Sequence, residues 1–153
     1  MTEPKLIRLT EADLIKVWAI EQQAHAYPWA KTTIDNLNSR GGAHFGLFMD
    51  DQLIGYYYSQ NVVGEVSLLN IAIDPSRQGK GLGKRLLELM IDKCKQDKAD
   101  SIWLEVRESN KIAYSLYESI GFNEVDRRKG YYPKMVDGRS DKEDAIVMSY
   151  FIF

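Results

Sequence analysis

The chain predicts an α/β fold in which a mixed, mostly antiparallel sheet is flanked by helices, and three observations lead there. The first half holds three extended runs separated by short polar turns, an antiparallel meander. The second half alternates strand and helix, so its strand-helix-strand units cross over in parallel and put helices on the faces of the sheet. Between the halves, Arg77-Gln78-Gly79-Lys80-Gly81-Leu82-Gly83-Lys84 joins a buried-looking strand to an amphipathic helix through alternating glycines.

Ile7 and Leu9 alternate with polar neighbours as a short first strand, and Thr10-Glu11-Ala12-Asp13 reads as a capping box opening a helix to about Ala24. His25-Ala26-Tyr27-Pro28-Trp29 breaks it, because proline disfavours the α conformation before it. Lys31 to Leu37 offers a second short helix, ended by Arg40-Gly41-Gly42. The meander comprises His44 to Met49, Leu53 to Asn61 and Glu65 to Ile73, with turns at Asp50-Asp51 and Val63-Gly64. Leu82, Leu86, Leu87, Met90, Ile91 and Cys94 then recur at helical spacing. Ile102 to Val106 is a strand, Ile112 to Ile120 a helix stopped by Gly121, and Phe122 to Arg128 and Ala145 to Phe153 are the last strands. Lys134 to Lys142, charged and carrying Gly138, reads as a surface loop.

At 153 residues the sequence, 1–153, suits one domain with a self-sufficient core. A net charge of −2 argues against general nucleic-acid binding, although Arg127-Arg128-Lys129 and Arg77/Lys80/Lys84/Arg85 are local basic patches. One cysteine, Cys94, forms no internal disulfide, and a reducing cytoplasm fits. The N-terminus has no apolar leader and no apolar run approaches 18 residues, so neither secretion nor a membrane partner is expected. His25 and His44 have no metal-ligand spacing with Cys94, so no metal is expected.

The glycine loop points to a phosphate ligand. Glycines lack the Cβ atoms that keep an anion from the backbone, and the helix start aims unpaired N–H groups at the same point. A Walker loop is excluded, since Gln78 stands at its first glycine and Arg85 at its magnesium-binding hydroxyl. A dinucleotide fingerprint fits poorly, because Lys84 replaces the third glycine and five residues follow Ile73. A tight turn would use the same glycines. What remains, Gln78-x-x-Gly81-x-Gly83, resembles the Gln/Arg-x-x-Gly-x-Gly/Ala signature with which the GNAT acetyltransferase superfamily binds the pyrophosphate of coenzyme A.

A second constellation, Asn110-x-x-Ala113-x-x-Leu116-Tyr117-x-x-x-Gly121-Phe122, puts Asn110, Tyr114 and Tyr117 on one helix face. Read alone it is equally a helix cap with half-buried tyrosines. Leu69-Asn70-Ile71-Ala72-Ile73-Asp74-Pro75, Trp103-Leu104-Glu105-Val106-Arg107-x-Ser109-Asn110, Tyr131-Tyr132-Pro133, Glu143-Asp144-Ala145 and Glu21 followed by His25-Ala26-x-Pro28-Trp29 resemble the RimI-type ribosomal-protein-alanine N-acetyltransferases of that superfamily. The resemblance spans nearly the whole chain and implies the GNAT fold. It departs at Lys134 to Lys142, which looks longer than the family's connection.

The resemblance also implies a chemistry. Acetyl-CoA would be the cosubstrate, held by Ile71, Ala72, Ile73, Gln78, Gly79, Lys80, Gly81, Leu82, Gly83, Lys84 and Asn110, with a backbone N–H near Ile73 as oxyanion donor. Glu105 would be the base, directly or through water, and Tyr117 the acid that protonates the leaving thiolate. Such a site suits an α-amine, whose reference pKa of about 7.7–8.0 makes deprotonation near pH 7 cost roughly 1 kcal/mol, against about 4–5 for lysine. Glu21, Trp29, Tyr131, Tyr132, Glu143 and Asp144 would surround the acceptor peptide, carboxylates for its cationic end and aromatics for walls. The expected activity is therefore acetyl transfer to the N-terminal alanine of a small-subunit ribosomal protein in the cytoplasm. The alternatives are another N-terminus, a lysine or a small amine on the same fold, or a non-catalytic acyl-CoA-binding module.

Overall fold

A computed structural model describes residues 3–152. Seven strands form one sheet in the order β1-β2-β3-β4-β5-β7-β6, with β1 Lys5–Arg8, β2 Phe45–Met49, β3 Gln52–Val62, β4 Glu65–Ile73, β5 Ser101–Arg107, β6 Asn123–Val136 and β7 Arg139–Phe151. Every neighbouring pair is antiparallel except β4 and β5. The helices are α1 Leu14–Ala24, α2 Lys31–Asp35, α3 Leu82–Gln96 and α4 Lys111–Ile120. The mixed sheet is thus as expected.

Helices cover both faces of the sheet, which explains why β3 runs apolar without alternation from Leu53 to Tyr58. Tyr56 and Tyr58 join Val17, Ile20 and Ile34 of α1 and α2 in one core, while Tyr57 joins Leu86, Met90 and Cys94 of α3 in the other. A strand buried on both faces loses the alternation of a half-exposed one. All three phenols are buried, and those of Tyr56 and Tyr58 donate to Glu21 Oε1 and to the Ile34 carbonyl, at 2.6 and 2.7 Å.

Helix starts follow the sequence signals in part. The Thr10 N–H donates to Asp13 Oδ2 at 2.8 Å, but the turn it opens is 3-10 over Glu11–Asp13 before α1 begins. Asn110 caps α4, its Oδ1 accepting from the Ala113 N–H at 3.2 Å, and Gly121 ends it at φ +124°.

The 134–142 expectation is corrected. Those residues form a hairpin, not a loop: β6 and β7 pair from Tyr132↔Glu143 to Val136↔Arg139, with only Asp137-Gly138 between them. Both turn residues have positive φ, +49° and +75°, which suits an Asp-Gly two-residue turn. The charged residues belong to an exposed edge ribbon whose faces need no apolar alternation.

One feature of the sheet creates the site. β4 and β5 pair only at Glu65↔Ser101, Val66↔Ile102 and Ser67↔Trp103, and then part. Against β3, Ser59 faces Leu68 while Tyr58 faces Asn70, so Leu69 is an extra, bulged residue just where the strands separate. A bulge bends its strand and increases local twist, which accounts for the divergence.

Candidate active site

The parting strands open a cleft of about 930 Å³, walled by Leu68–Ile73 of β4, Leu104–Arg107 of β5, the 78–83 loop, α4 and the residues after α1. Beyond Ser67, β4 has no sheet partner on this side. The Asp74 N–H donates to the Ile54 carbonyl at 2.8 Å, which sets the alternation along β4. Ala72 and Asn70 therefore bond toward β3, and Ile71 and Ile73 turn their main-chain groups into the cleft. The Gln78 amide, 3.5 Å from the Ile73 carbonyl, lies on that same side. Two main-chain N–H groups are thus available to a developing negative charge.

Gly79 and Gly81 lie at φ +81° and +75°, backbone that side chains disfavour, and a methyl at either would meet no atom within 4 Å. The glycines therefore serve conformation and an open concavity, not close packing. No side chain caps α3 and no acidic residue lies in its first turn, so its free N–H groups and positive dipole end face that space. This donor set fits a pyrophosphate. Gln78, Gly79, Gly81, Leu82 and Gly83 line the cleft, whereas Lys80 and Lys84 are exposed and form no wall. Asn110 lines the cleft as well, but its side-chain oxygen is spent on the α4 cap.

Glu105 and Tyr117 reach the same cleft from β5 and α4. Glu105 Oε2 is buried without a hydrogen bond, and its nearest cation is Arg128, Nε to Oε2 3.7 Å. An unpartnered buried carboxylate oxygen is costly, and it awaits a donor. The Tyr117 phenol is pushed up to about 12 by its burial, with the charge of nearby Tyr132 adding to this. Tyr132, also a cleft residue, rises to about 12 through burial and the negative charge of Glu105. Tyr114 departs from the expected shared face: its hydroxyl donates to Glu124 Oε1 at 3.2 Å, outside the cleft.

The predicted acceptor residues divide. Tyr132 and Glu143 line the cleft. Glu143 accepts from the Ser109 N–H at 2.9 Å, the Ser109 hydroxyl at 3.1 Å and Arg107 at 3.3 Å. Burial alone raises its carboxyl, but these donors outweigh that and hold it below the usual range. Glu21 and Trp29 lie behind the wall, outside the cleft lining. Glu21 is fully buried and satisfied by Tyr56, Asn70 and the Trp29 N–H, and the Trp29 ring packs edge-on to Tyr58 at 5.4 Å. Tyr131 is half exposed and packs edge-on against Tyr132, and Asp144 is occupied by the Gly130 N–H and Arg127; neither lines the cleft.

Residues without a predicted role complete the walls: His25, Tyr27, Asn70 and Arg107. Arg107 was legible, since it sits two positions after Glu105 and a strand repeats its face every second residue. Asn70, a lone amide in the apolar run 68–73, carried a similar signal. Among the described residues no group of three His, Cys, Asp or Glu side chains could hold a metal ion.

The profile of the Acetyltransferase (GNAT) family matches residues 4–122. The chain is 43% identical over 145 residues to a [ribosomal protein bS18]-alanine N-acetyltransferase of Haemophilus influenzae, covering 95% of this chain and 97% of that one. The crystal structure of the ribosomal-protein-S18-alanine N-acetyltransferase from Escherichia coli superimposes with a TM-score of 0.89 at 39% identity, over 98% of this chain and 94% of that one. A GNAT family acetyltransferase from Elizabethkingia anophelis with acetyl-CoA bound shares the fold, with a TM-score of 0.79 at 21% identity over 97% and 98% of the two chains.

Proposed function

Since this chain belongs to the GNAT acetyltransferase family, we propose that it moves acetyl from acetyl-CoA to the α-amine of the N-terminal alanine of a small-subunit ribosomal protein, in the cytoplasm. The observation that carries the reading is that Glu105, with an unpartnered buried oxygen, and Tyr117, a buried phenol, open on one cleft beside the free amides of β4. The names of the relatives at 43% and 39% identity support the acceptor.

Acetyl-CoA supplies the acetyl thioester, and this chain's residues do the rest. The 78–83 loop and the start of α3 hold the pyrophosphate, and the amides of Ile71 and Ile73 donate to the oxygen on which charge grows. Glu105 takes a proton from the attacking amine, directly or through one water. Tyr117 donates to the departing sulfur. At about 12 its phenol is protonated at every working pH, but complete transfer to a thiolate near 8.5 would run uphill by about 5 kcal/mol. Desolvation in the cleft raises the basicity of the thiolate as it does the phenol, which narrows that gap.

Acceptor profiling tests the reading. A peptide beginning with alanine from a bS18 N-terminus should be acetylated with its lysines blocked and left untouched with its α-amine blocked. Turnover of the α-blocked, lysine-bearing peptide alone would reject it.

A further inference from the structure

Glu21, Asn70 and His25 form a hydrogen-bonded chain from the buried core to the cleft wall, and the chemistry above gives it no task. The Glu21 carboxylate, fully buried, accepts from the Tyr56 hydroxyl at 2.6 Å, Asn70 Nδ2 at 2.8 Å and the Trp29 N–H at 2.9 Å, all of them neutral donors. Among the described residues the one basic group within 4 Å is His25, Nε2 to Oε1 3.7 Å. A buried carboxylate is costly without a compensating positive charge.

The chain of donors fixes the histidine tautomer. A carboxylate only accepts, so Asn70 turns its NH2 to Glu21 and its carbonyl to His25, with Oδ1 and Nε2 2.9 Å apart. That carbonyl also only accepts. The neutral His25 ring therefore carries its proton on Nε2, and Nδ1 is a bare lone pair. It makes no hydrogen bond among the described residues, while the side chain is about one-third exposed (32%) and lines the cleft.

From this geometry we propose that Nδ1 of His25 receives the proton that the acceptor's ammonium loses before attack, while Glu105 takes the second proton during attack. The inference rests on the α-amine reading above. An α-amine reaches the cleft mostly as ammonium, and amide formation removes two protons from it. The N–H bond of the ammonium breaks as the Nδ1–H bond forms, and the imidazolium then releases that proton to water. The amine lone pair makes the new C–N bond, the C–S electron pair leaves with sulfur, and the proton collected by Glu105 replaces the one Tyr117 gives. The overall products are amide, thiol and one proton. The charged groups around the ring are Glu21, held by Tyr56 behind it, and Glu105, Glu143, Arg107 and Lys134, which line the same cleft.

The test compares wild type with His25→Gln, whose amide can still donate to Asn70, using an alanine-starting peptide at pH 7 and pH 9. With a reference pKa of about 7.7–8.0, roughly a tenth of the peptide amine is neutral at pH 7 and more than nine-tenths at pH 9. We expect kcat/KM to fall at least about tenfold at pH 7 and to recover to within about twofold at pH 9, with acetyl-CoA affinity unchanged. An equal loss at both pH values, which a merely structural role would give, or no loss at either, overturns the inference. Long-range proton-nitrogen NMR on the wild-type protein reads the tautomer without any variant or turnover: Nε2–H is expected, and Nδ1–H overturns the inference. Failure of wild type to acetylate any peptide would count against the acceptor reading, and the tautomer would still decide this one.

Discussion

The Arg107 guanidinium lies 3.9 Å from the centre of the Tyr27 ring, tying the segment after α1 to β5 at the mouth of the cleft. A second ring, that of Tyr132, lies 4.4 Å from it, and its Nη1 donates to the Pro133 carbonyl at 2.7 Å. The Tyr27 hydroxyl accepts from the Met135 N–H at 3.4 Å, so the β6–β7 hairpin joins the same roof. Lysine offers a point charge in place of a planar fork and cannot stack and bridge at once. Arg107→Lys should raise KM for the peptide about tenfold, leave acetyl-CoA affinity unchanged, and speed hydrogen exchange across 131–144. Unchanged exchange and KM together would show that the sandwich holds nothing.

Glu105→Gln and Tyr117→Phe separate chemistry from binding. Each should lower kcat by about 10²–10⁴, the usual range for a positioned proton-transfer group, while calorimetry finds acetyl-CoA bound as in wild type. Wild-type turnover in either variant removes that residue from the reaction.

Gly81 and Gly83 should respond oppositely to alanine. At φ +75° an alanine at 81 costs about 1–2 kcal/mol, and its methyl enters the concavity assigned to the pyrophosphate, so acetyl-CoA affinity should drop. Gly83 is helical, and its new methyl would meet Leu116 at an ordinary 3.6 Å. Gly83→Ala should therefore raise the melting temperature, by an amount corresponding to about 0.5–1 kcal/mol. A lower melting temperature for Gly83→Ala would contradict the packing described.

Alkaline pH should unfold the protein abruptly. Burial raises the phenols of Tyr56, Tyr57, Tyr58 and Tyr117 above the ordinary value of 10, Tyr117 to about 12. For a raised pKa the native state is unaffected below about 10, the unfolded value. Above it, each phenol takes away up to about 1.4 kcal/mol per pH unit until its folded value is reached. Four such groups remove about 5 kcal/mol per unit, comparable to the whole stability of a small domain. Tyrosinate absorbance should therefore rise in the same step as helical circular dichroism is lost, between about pH 10 and 12. Full ionisation of these tyrosines with native dichroism would refute their burial.

Local signals were enough for most elements and for the glycine-bearing wall of the cleft, because these depend on period and on residues close in the chain. Alternating glycines before a helix, a meander followed by strand-helix units, and Glu105 and Tyr117 on flanking elements could all be read in one dimension. The Asp-Gly turn at 137–138 was legible too, but the surrounding charge masked the ribbon that it closes. What only the tertiary structure decided was which side of the wall each acceptor residue occupies. Glu21 is consumed by Tyr56 and Asn70, 35 and 49 positions away, and Arg107 meets Tyr27 and Tyr132 from two other elements. Whether a polar side chain is spent inside the protein or left free for a ligand depends on partners that chain folding alone brings within hydrogen-bond distance.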